Sequence, residues 1–289
     1  MLSEAVPLSL IRYQGPMLRA WGRALARSWL PFSRPETNPE IFRDLVAIVA
    51  PPAPELVSAY ARWSGGHYEG TLPPHMFAQW GLHLALQVIE QSKYDLVDII
   101  NQGVHMRCYG EISSCMPLVV RASLVSVQEH DGRADMAVRI VTGNKDCHRL
   151  VEATMFTTFL SPSARRSVLR SPRQQAASWS AVNQWQAEPH DGFQFALLTG
   201  DFNPIHWVDR IGRKSPFGRT VLQGLGMFAR TYEGLHSEQT VNELDLRFLR
   251  PVPLPSGALS VETGMSSVGE KLVRVCDGAG RVRAAGHYT

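Results

Sequence analysis

A short loop in the second half of the chain carries side chains that could move protons. The stretch LLTGDFNPIHW, from Leu197 to Trp207, places Asp201 and His206 close together, with Asn203 and Pro204 between them. Pro204 fixes its own φ angle and biases Asn203 towards an extended backbone, so the loop should be stiff. A carboxylate and an imidazole held this way can form a general acid/base pair. The alternative is a simple turn, in which the carboxylate caps a helix and the imidazole packs in the loop.

The loop lies between two segments whose apolar residues are spaced as in helices. FALLTG precedes it and ends in a small residue and a glycine. KSPFGRTVLQGLGMFA, from Lys214, follows it and turns apolar after a Pro-containing turn. Alternating, β-like sequence comes next in LDLRFLRPVPLPSGALSVET, which three prolines interrupt. The loop is therefore expected to be held between the end of one helix and the start of another.

The same order of elements occurs earlier in the chain. TLPPHMFAQWGLHLAL can be laid on the segment from Lys214, which places Gly81 on Gly224, and the following β-like run places Arg107 on Arg247. This match indicates an internal duplication. The first copy has no counterpart of DFNPIHWVDRIGRK. A loop added to one copy of a repeated scaffold is where function is usually carried.

The repeat divides the chain into four predicted parts. Residues 1–45 form a basic helical extension and residues 46–160 a first half without the acid/base loop. Residues 161–177, which are polar, basic and punctuated by proline, form a linker, and residues 178–289 form the second half. Each half is predicted to be a long apolar helix followed by several antiparallel strands, which is an α+β organisation.

Composition excludes several functional classes. The 289 residues are 44% hydrophobic and 19% charged, as in globular proteins, and a net charge of +3 is far from that of a nucleic-acid-binding domain. The four cysteines form no CxxC pair, which predicts free, buried thiols in a reducing compartment. The sequence shows no apolar run of about 18 residues and no secretory signal, so we expect a cytoplasmic protein.

The N-terminal extension is the one candidate for membrane contact. Residues 10–34 contain five arginines and no acidic residue. A basic amphipathic helix of this kind can lie on an anionic membrane or act as a transit peptide. The alternative is a terminal helix that packs on the body of the protein with its arginines in water.

The second half resembles the MaoC-like acyl dehydratases, also called R-specific enoyl-CoA hydratase 2. The segments FALLTGDFNPIH, PFGRTVLQGLGMF and LRFLRPVPLPSGAL carry this resemblance in order along the chain. The first half resembles the degenerate first repeat of double-hotdog members. The resemblance implies a double hotdog, in which two antiparallel sheets are each wrapped around a long central helix. Such a chain would be a pseudo-dimeric monomer, and two chains could still pair as a homodimer.

The resemblance also implies a reaction, the syn addition of water to a trans-2-enoyl thioester to give a (3R)-hydroxyacyl thioester, or its reverse. Asp201 and His206 would be the catalytic acid/base pair, and Asn203 would hold their loop. The N–H of Gly224, near a helix start, would stabilise the thioester oxygen as it becomes enolate-like. No metal or redox cofactor is expected, and coenzyme A or the phosphopantetheine of an acyl carrier protein would enter as part of the substrate.

Arginines near the motif are candidates for binding the carrier. Arg219, Arg247 and Arg250 could meet the phosphates of coenzyme A or phosphopantetheine, although arginines at strand edges are often simply solvated. The chain also departs from the family at two positions. Gln223 stands where the family often has histidine, which puts the hydrogen bonding around the loop in doubt, and Gly212 stands where alanine or serine is common.

Two further functions remain open at this stage. A non-catalytic acyl-thioester-binding subunit could keep the same shape, and a thioesterase could use the same fold, although thioesterases of this fold lack the DxNPxH loop. In the first half, Trp80, Leu84 and Leu86 are candidate walls for an acyl tunnel, with core packing as the alternative. Its histidines, among them His75, are interpreted as structural.

Overall fold

A ten-stranded antiparallel sheet forms the frame of the protein. The computed structural model describes residues 5–29, 42–96, 99–130, 132–160 and 178–289, so the predicted linker 161–177 lies outside the described residues. The strands are β1 (Leu45–Val49), β2 (Thr71–Leu72), β3 (Ile99–Cys108), β4 (Ile112–Ser113), β5 (Leu118–His130), β6 (Arg133–Gly143), β7 (Val151–Leu160), β8 (Trp179–Trp185), β9 (Glu243–Phe248), β10 (Leu259–Met265), β11 (Lys271–Asp277) and β12 (Val282–Tyr288). The helices are α1 (Gly15–Trp29), α2 (Pro54–Ser64), α3 (Phe77–Ile89), α4 (Asp191–Thr199), α5 (Asp209–Lys214) and α6 (Gly224–His236).

The order of strands in the sheet is symmetric about its centre. The order is β1-β5-β6-β7-β3-β9-β12-β11-β10-β8, so the five strands of each half occupy corresponding places counted from the two edges. Strands β3 and β9 join the halves edge to edge, with His105 opposite Asp245 and Gly103 opposite Arg247. The alignment that places Arg107 on Arg247 also places His105 on Asp245, so a local two-fold axis passes through this pair. The boundaries of the four predicted parts stay a prediction.

The two long apolar helices lie against the sheet. Helix α3 packs on β5 and β6, and α6 packs on β3, β8, β9 and β10. Both helices are buried along most of their length because their apolar residues occupy more than one face. The indole of Trp80 belongs to this packing, since its Nε1 donates a hydrogen bond to Thr142 Oγ1 at 2.9 Å in the core.

The N-terminal extension packs on the body of the protein. A 3-10 turn, Leu8–Tyr13, contacts α4, and α1 contacts α3. Its buried face consists of Leu10, Met17, Ala20 and Ala24. On the outer face, Arg23 forms an ion pair with Glu90 at 3.3 Å. Contact with a membrane surface stays a prediction.

Two expectations from composition can be compared with the structure. All four cysteines are free, but only Cys276 is fully buried, while Cys115 and Cys147 are exposed. The expectation that every thiol is buried was therefore wrong, because the two exposed thiols lie in connections between strands. Among the described residues, no helix is long and apolar enough to cross a bilayer.

Candidate active site

The end of α4 places the first acidic side chain. The helix stops at Gly200, whose φ of 81° is left-handed and whose N–H bonds to the carbonyl of Ala196 at 2.7 Å. A Cβ atom on Gly200 would overlap the side chain of Met17 from α1, so only glycine fits here. The chain leaves the helix with Asp201 directly after this sharp stop, beside Thr199.

The predicted stiff loop follows. The N–H of Asn203 donates to Asp201 Oδ1 at 3.4 Å, and the side-chain oxygen of Asn203 accepts from the N–H of Ile205 at 3.3 Å. Pro204 begins one turn of 3-10 helix that ends at His206. The side chain of the buried Asn203 therefore bonds to the backbone of its own loop, and its role as a support of the acid/base pair stays a prediction.

The imidazole of His206 has one orientation fixed by the backbone. Its Nδ1 lies 2.7 Å from the carbonyl oxygen of Val221. A carbonyl can only accept a hydrogen bond, so Nδ1 carries the proton and Nε2 of the neutral ring keeps a lone pair. Burial lowers the pKa of His206, against an opposing effect of Asp201, and burial raises the pKa of Asp201, against an opposing effect of His206.

Both side chains open onto one cavity of about 260 Å³. The cavity is lined by both halves of the molecule, because α3, β3 and β7 of the first half face the loop and α6 of the second. Most of the lining is apolar, as is typical of sites for small molecules. Its walls include Leu82 and Leu86 of α3, Ile99–Gln102 of β3, Met155 and Thr157 of β7, Phe248 of β9, and Trp21 of α1.

The start of α6 contributes a free backbone donor to the cavity. Gly224 is the first residue of the helix, and the N–H groups of Gly226 and Met227 bond to the carbonyl of Gln223. Among the described residues, the N–H of Gly224 has no acceptor. A Cβ at Gly224 would overlap the ring of Phe248, so the backbone is closely approached from the cavity side. The site thus combines a carboxylate, a neutral imidazole and an amide donor.

Of the three arginines proposed for carrier binding, only one lines the cavity. Arg250 lines the cavity, is exposed, and donates to the carbonyl of Val282 at 2.8 Å. Arg247 does not line it, because its guanidinium pairs with Asp245 at 2.9 Å and lies 3.5 Å over the ring of Phe156. Arg219 is exposed and also lies outside the cavity lining.

The departures from the family pattern have structural explanations. The side-chain amide of Gln223 donates to the carbonyls of Gly192 at 2.9 Å and Asp201 at 3.3 Å, so it ties the start of α6 to α4 and to the loop. Its Oε1 is buried without a partner among the described residues. Gly212 lies against the backbone of Thr220, where a side chain would collide.

Several cavity residues were missed or misplaced by the sequence analysis. Trp80 and Leu84 are buried but do not line the cavity, whereas Leu86 does. Trp21 and the carbonyl of Val221 were not anticipated. The spacing of Met17, Trp21 and Ala24 is a helical signal for a face in contact with the body and could have identified the tryptophan.

The candidate site lies in a part of the chain that matches a known family. A family model described as "MaoC like domain" matches residues 168–282. The second half of the chain therefore contains a MaoC-like domain. Its acid/base loop, the start of α6 and Arg250 all lie within the matched residues. A comparison of the sequence with curated proteins gave no match.

Solved structures extend the likeness over both halves. HtdX of Mycobacterium tuberculosis has a TM-score of 0.68 at 18% identity, covering 84% of this chain and 98% of its own. A MaoC-like dehydratase of Phytophthora capsici has a TM-score of 0.66 at 14% identity, covering 88% and 98%. Rv0216 of M. tuberculosis, described as a double hotdog, has a TM-score of 0.57 at 11% identity, covering 86% and 96%. At these identities the likeness shows the fold, and it confirms the predicted α+β double hotdog.

Proposed function

We propose that this protein is a hydro-lyase that catalyses the (3R)-specific hydration of trans-2-enoyl thioesters and the reverse dehydration of 3-hydroxyacyl thioesters in fatty-acid metabolism. Domains of the MaoC-like family are generally hydratases or dehydratases of acyl thioesters. The observation that carries the proposal is the meeting of Asp201, the Nε2 of His206 and the free N–H of Gly224 on one apolar cavity.

The acid/base pair suits activation of one water molecule. A water can donate one hydrogen to the Asp201 carboxylate and the other to His206 Nε2, which leaves its lone pair free to attack C3. One of the two side chains accepts a proton as the oxygen bonds to C3, and the proton is returned at C2. The pair then regains its initial protonation state, so H and OH have been added with no net change in the enzyme.

Besides activation of water and protonation of C2, the reaction requires stabilisation of the thioester oxygen. Negative charge develops on this oxygen while C2 awaits its proton. The N–H of Gly224 lies at the N-terminal end of α6, where the helix dipole and unpaired amides favour negative charge. This amide is the proposed oxyanion donor.

The substrate carrier would lie towards the exposed Arg250. A guanidinium binds phosphate groups well, and both coenzyme A and phosphopantetheine carry them. We propose this arginine, rather than Arg219 or Arg247, as the carrier contact. The proposed addition of water is redox-neutral, so it requires no redox cofactor, and we propose that the acid/base pair and the Gly224 amide act without a metal.

The decisive experiment follows the absorbance of the conjugated enoyl thioester with purified protein. We expect wild type to consume trans-2-enoyl-CoA or its carrier-protein form and to give the (3R) product by chiral analysis. Asp201→Asn and His206→Ala should each lose about 10²–10⁴-fold in kcat, the usual contribution of general acid/base catalysis. Asp209→Asn is the matched control, because this acidic residue is exposed and does not line the cavity.

Two outcomes would overturn the proposal. Wild type that binds acyl thioesters but leaves every enoyl substrate unchanged would be a binding subunit. Release of free thiol from saturated acyl-CoA, without hydration, would indicate a thioesterase instead.

A further inference from the structure

Trp21 is the only residue of the N-terminal extension that lines the cavity, as far as the described residues show. It lies outside both copies of the repeat and outside the residues matched by the family model. The cavity is therefore closed in part by a segment that the double-hotdog scaffold itself does not supply.

The position of α1 is fixed by buried contacts at the catalytic loop. The side-chain amide of Gln14, only 1% exposed, donates to the carbonyl of Leu197 in α4 at 2.7 Å. One turn further on, the fully buried Met17 packs against Gly200, the residue before Asp201. The first turn of α1 is thus held beside the acid/base pair.

From there α1 continues towards the end of α3. Trp21 is one turn beyond Met17, or about 6 Å at the rise of an α-helix. Arg23 then pairs with Glu90, directly after α3 ends at Ile89. An acyl chain that leaves the reacting carbons at Asp201 and enters the apolar part of the cavity would therefore meet the indole of Trp21, which lines the same cavity.

We propose that Trp21 is a specificity-determining residue that limits the protein to short acyl chains. This inference rests on the proposed function, since it assigns the acyl group to this cavity. The cavity volume of about 260 Å³ lies close to the lower end of the roughly 300–1,000 Å³ that is usual for ligand pockets. The apolar side chains of Leu82, Leu86 and Met155 are among its other walls.

The chain offers a well-matched pair of variants. The indole Nε1 of Trp21 is buried with no hydrogen-bond partner among the described residues, so Trp21→Phe breaks no such bond and keeps a bulky ring. Trp21→Ala removes the ring and lengthens the cavity. Trp21→Leu is a third variant that retains apolar packing between α1 and the body if the alanine variant does not fold.

The test measures kcat/KM for straight-chain trans-2-enoyl-CoAs from four to twelve carbons, together with calorimetric binding of saturated acyl-CoAs of the same lengths. Wild type and Trp21→Phe should prefer the shortest chains. Trp21→Ala, or Trp21→Leu, should gain about tenfold or more on chains of eight carbons or longer, with little change at four carbons, since each methylene accommodated is worth about tenfold or more. Identical length profiles in wild type and the small variants, or an equal shift in Trp21→Phe, would overturn the inference.

Saturated acyl-CoAs separate this inference from the proposed function. They cannot be hydrated, so their binding reports the length of the cavity even if wild type turns over no enoyl substrate. A shift in the binding profile without turnover would sustain the role of Trp21 and overturn the hydratase. Turnover of enoyl substrates with the same chain-length profile in wild type and the small variants would support the hydratase and overturn the role of Trp21.

Discussion

The Nδ1 atom of His206 lies 2.7 Å from the carbonyl oxygen of Val221, three residues before α6 begins. This bond links the loop of the proposed acid/base pair to the helix that carries the Gly224 amide. It fixes the tautomer, because the carbonyl must receive a proton from Nδ1. The lone pair on Nε2 is therefore a consequence of the backbone path and does not depend on substrate.

The first prediction concerns the pH dependence of the reaction. The working form needs an ionised Asp201 and a neutral His206, so protonation of either should stop hydration. Folding raises the pKa of Asp201 from about 3.9 and lowers that of His206 from about 6.5. We expect kcat/KM to be level near neutral pH and to fall as the pH decreases, with the acid limb between about 4 and about 6.5.

Stopped-flow hydration rates across this range would check the profile. An acid limb above pH 7 would contradict it, because it would mean that burial does not hold the imidazole neutral. Asp209→Asn should leave the limb in place, whereas Asp201→Asn should remove turnover.

The second prediction is that the carboxylate of Asp201, the proposed acid/base residue, lowers the stability of the folded protein at neutral pH. A carboxyl whose pKa is raised by folding stabilises the folded state at pH below its ordinary pKa, and that contribution is lost as pH rises through the folded value. Ionised Asp201 is therefore unfavourable for folding at pH 7. Asp201→Asn keeps an oxygen to accept from the N–H of Asn203 and carries no charge.

We expect Asp201→Asn to melt at a higher temperature than wild type at pH 7, and this advantage to shrink towards pH 4. Differential scanning calorimetry at the two pH values measures both effects. Equal or lower Tm at pH 7 would show that the raised pKa is not a stability cost. Asp209→Asn, on the surface, should give no comparable gain.

A third prediction concerns the place in the first half that corresponds to Asp201. If the ends of α2 and α4 are aligned, Gly66 takes the position of Asp201, and a Cβ there would overlap the carboxylate of Glu233 from α6. This buried carboxylate accepts hydrogen bonds from His75 Nε2 at 2.7 Å and Tyr68 at 2.9 Å. The second half thus fills the space beside the first half's helix end.

Burial opposes ionisation of Glu233, but the hydrogen bonds from His75 and Tyr68, together with the electrostatic effects of His75 and His236, outweigh it and keep the pKa of Glu233 below its ordinary value. A lowered carboxyl pKa gives stability that is present above the ordinary pKa and is lost as pH falls through the folded value. Glu233→Gln should therefore lower the free energy of unfolding by about 2 kcal/mol at pH 7, the scale of a hydrogen bond to a charged group. Urea denaturation measures this loss, and Glu238→Gln, just beyond α6 and exposed, is the control. Unchanged stability in Glu233→Gln would mean that the hydrogen bonds of Glu233 with His75 and Tyr68 contribute nothing to holding the halves together.

The sequence predicted the parts of the site that local residues determine. Asn203 and Pro204 shape the loop through bonds and torsions within a few residues, so the positions of Asp201 and His206 could be anticipated. Gly224 could be anticipated because the apolar run begins there. These effects act between residues that are close together in the sequence, so a short sequence motif is enough to predict them.

Long-range packing determined the rest. Nothing near Arg247 in the sequence indicates that β9 pairs with β3 across the two halves and places its guanidinium over Phe156. Likewise, the role of Trp21 depends on how α1 docks on α3. Edge-to-edge pairing of the halves and docking of the extension are properties of the assembled sheet, which local patterns do not encode.

The last prediction concerns Gln223 as a positioning residue. Its amide bonds to the carbonyls of Gly192 and Asp201, and its own backbone carbonyl anchors the first turn of α6. In Gln223→Leu, which replaces the amide with a shorter apolar side chain, both side-chain bonds are lost, at a cost of about 1 kcal/mol for each bond. We expect kcat to fall about tenfold or more while the KM for enoyl-CoA changes little, because the loop, and not the acyl pocket, is released. Gln223→His, which can still donate one hydrogen bond, should recover part of the rate. A purely structural glutamine would instead give a lower Tm with kcat unchanged in the folded protein, and steady-state kinetics beside thermal melts of both variants would reveal that result.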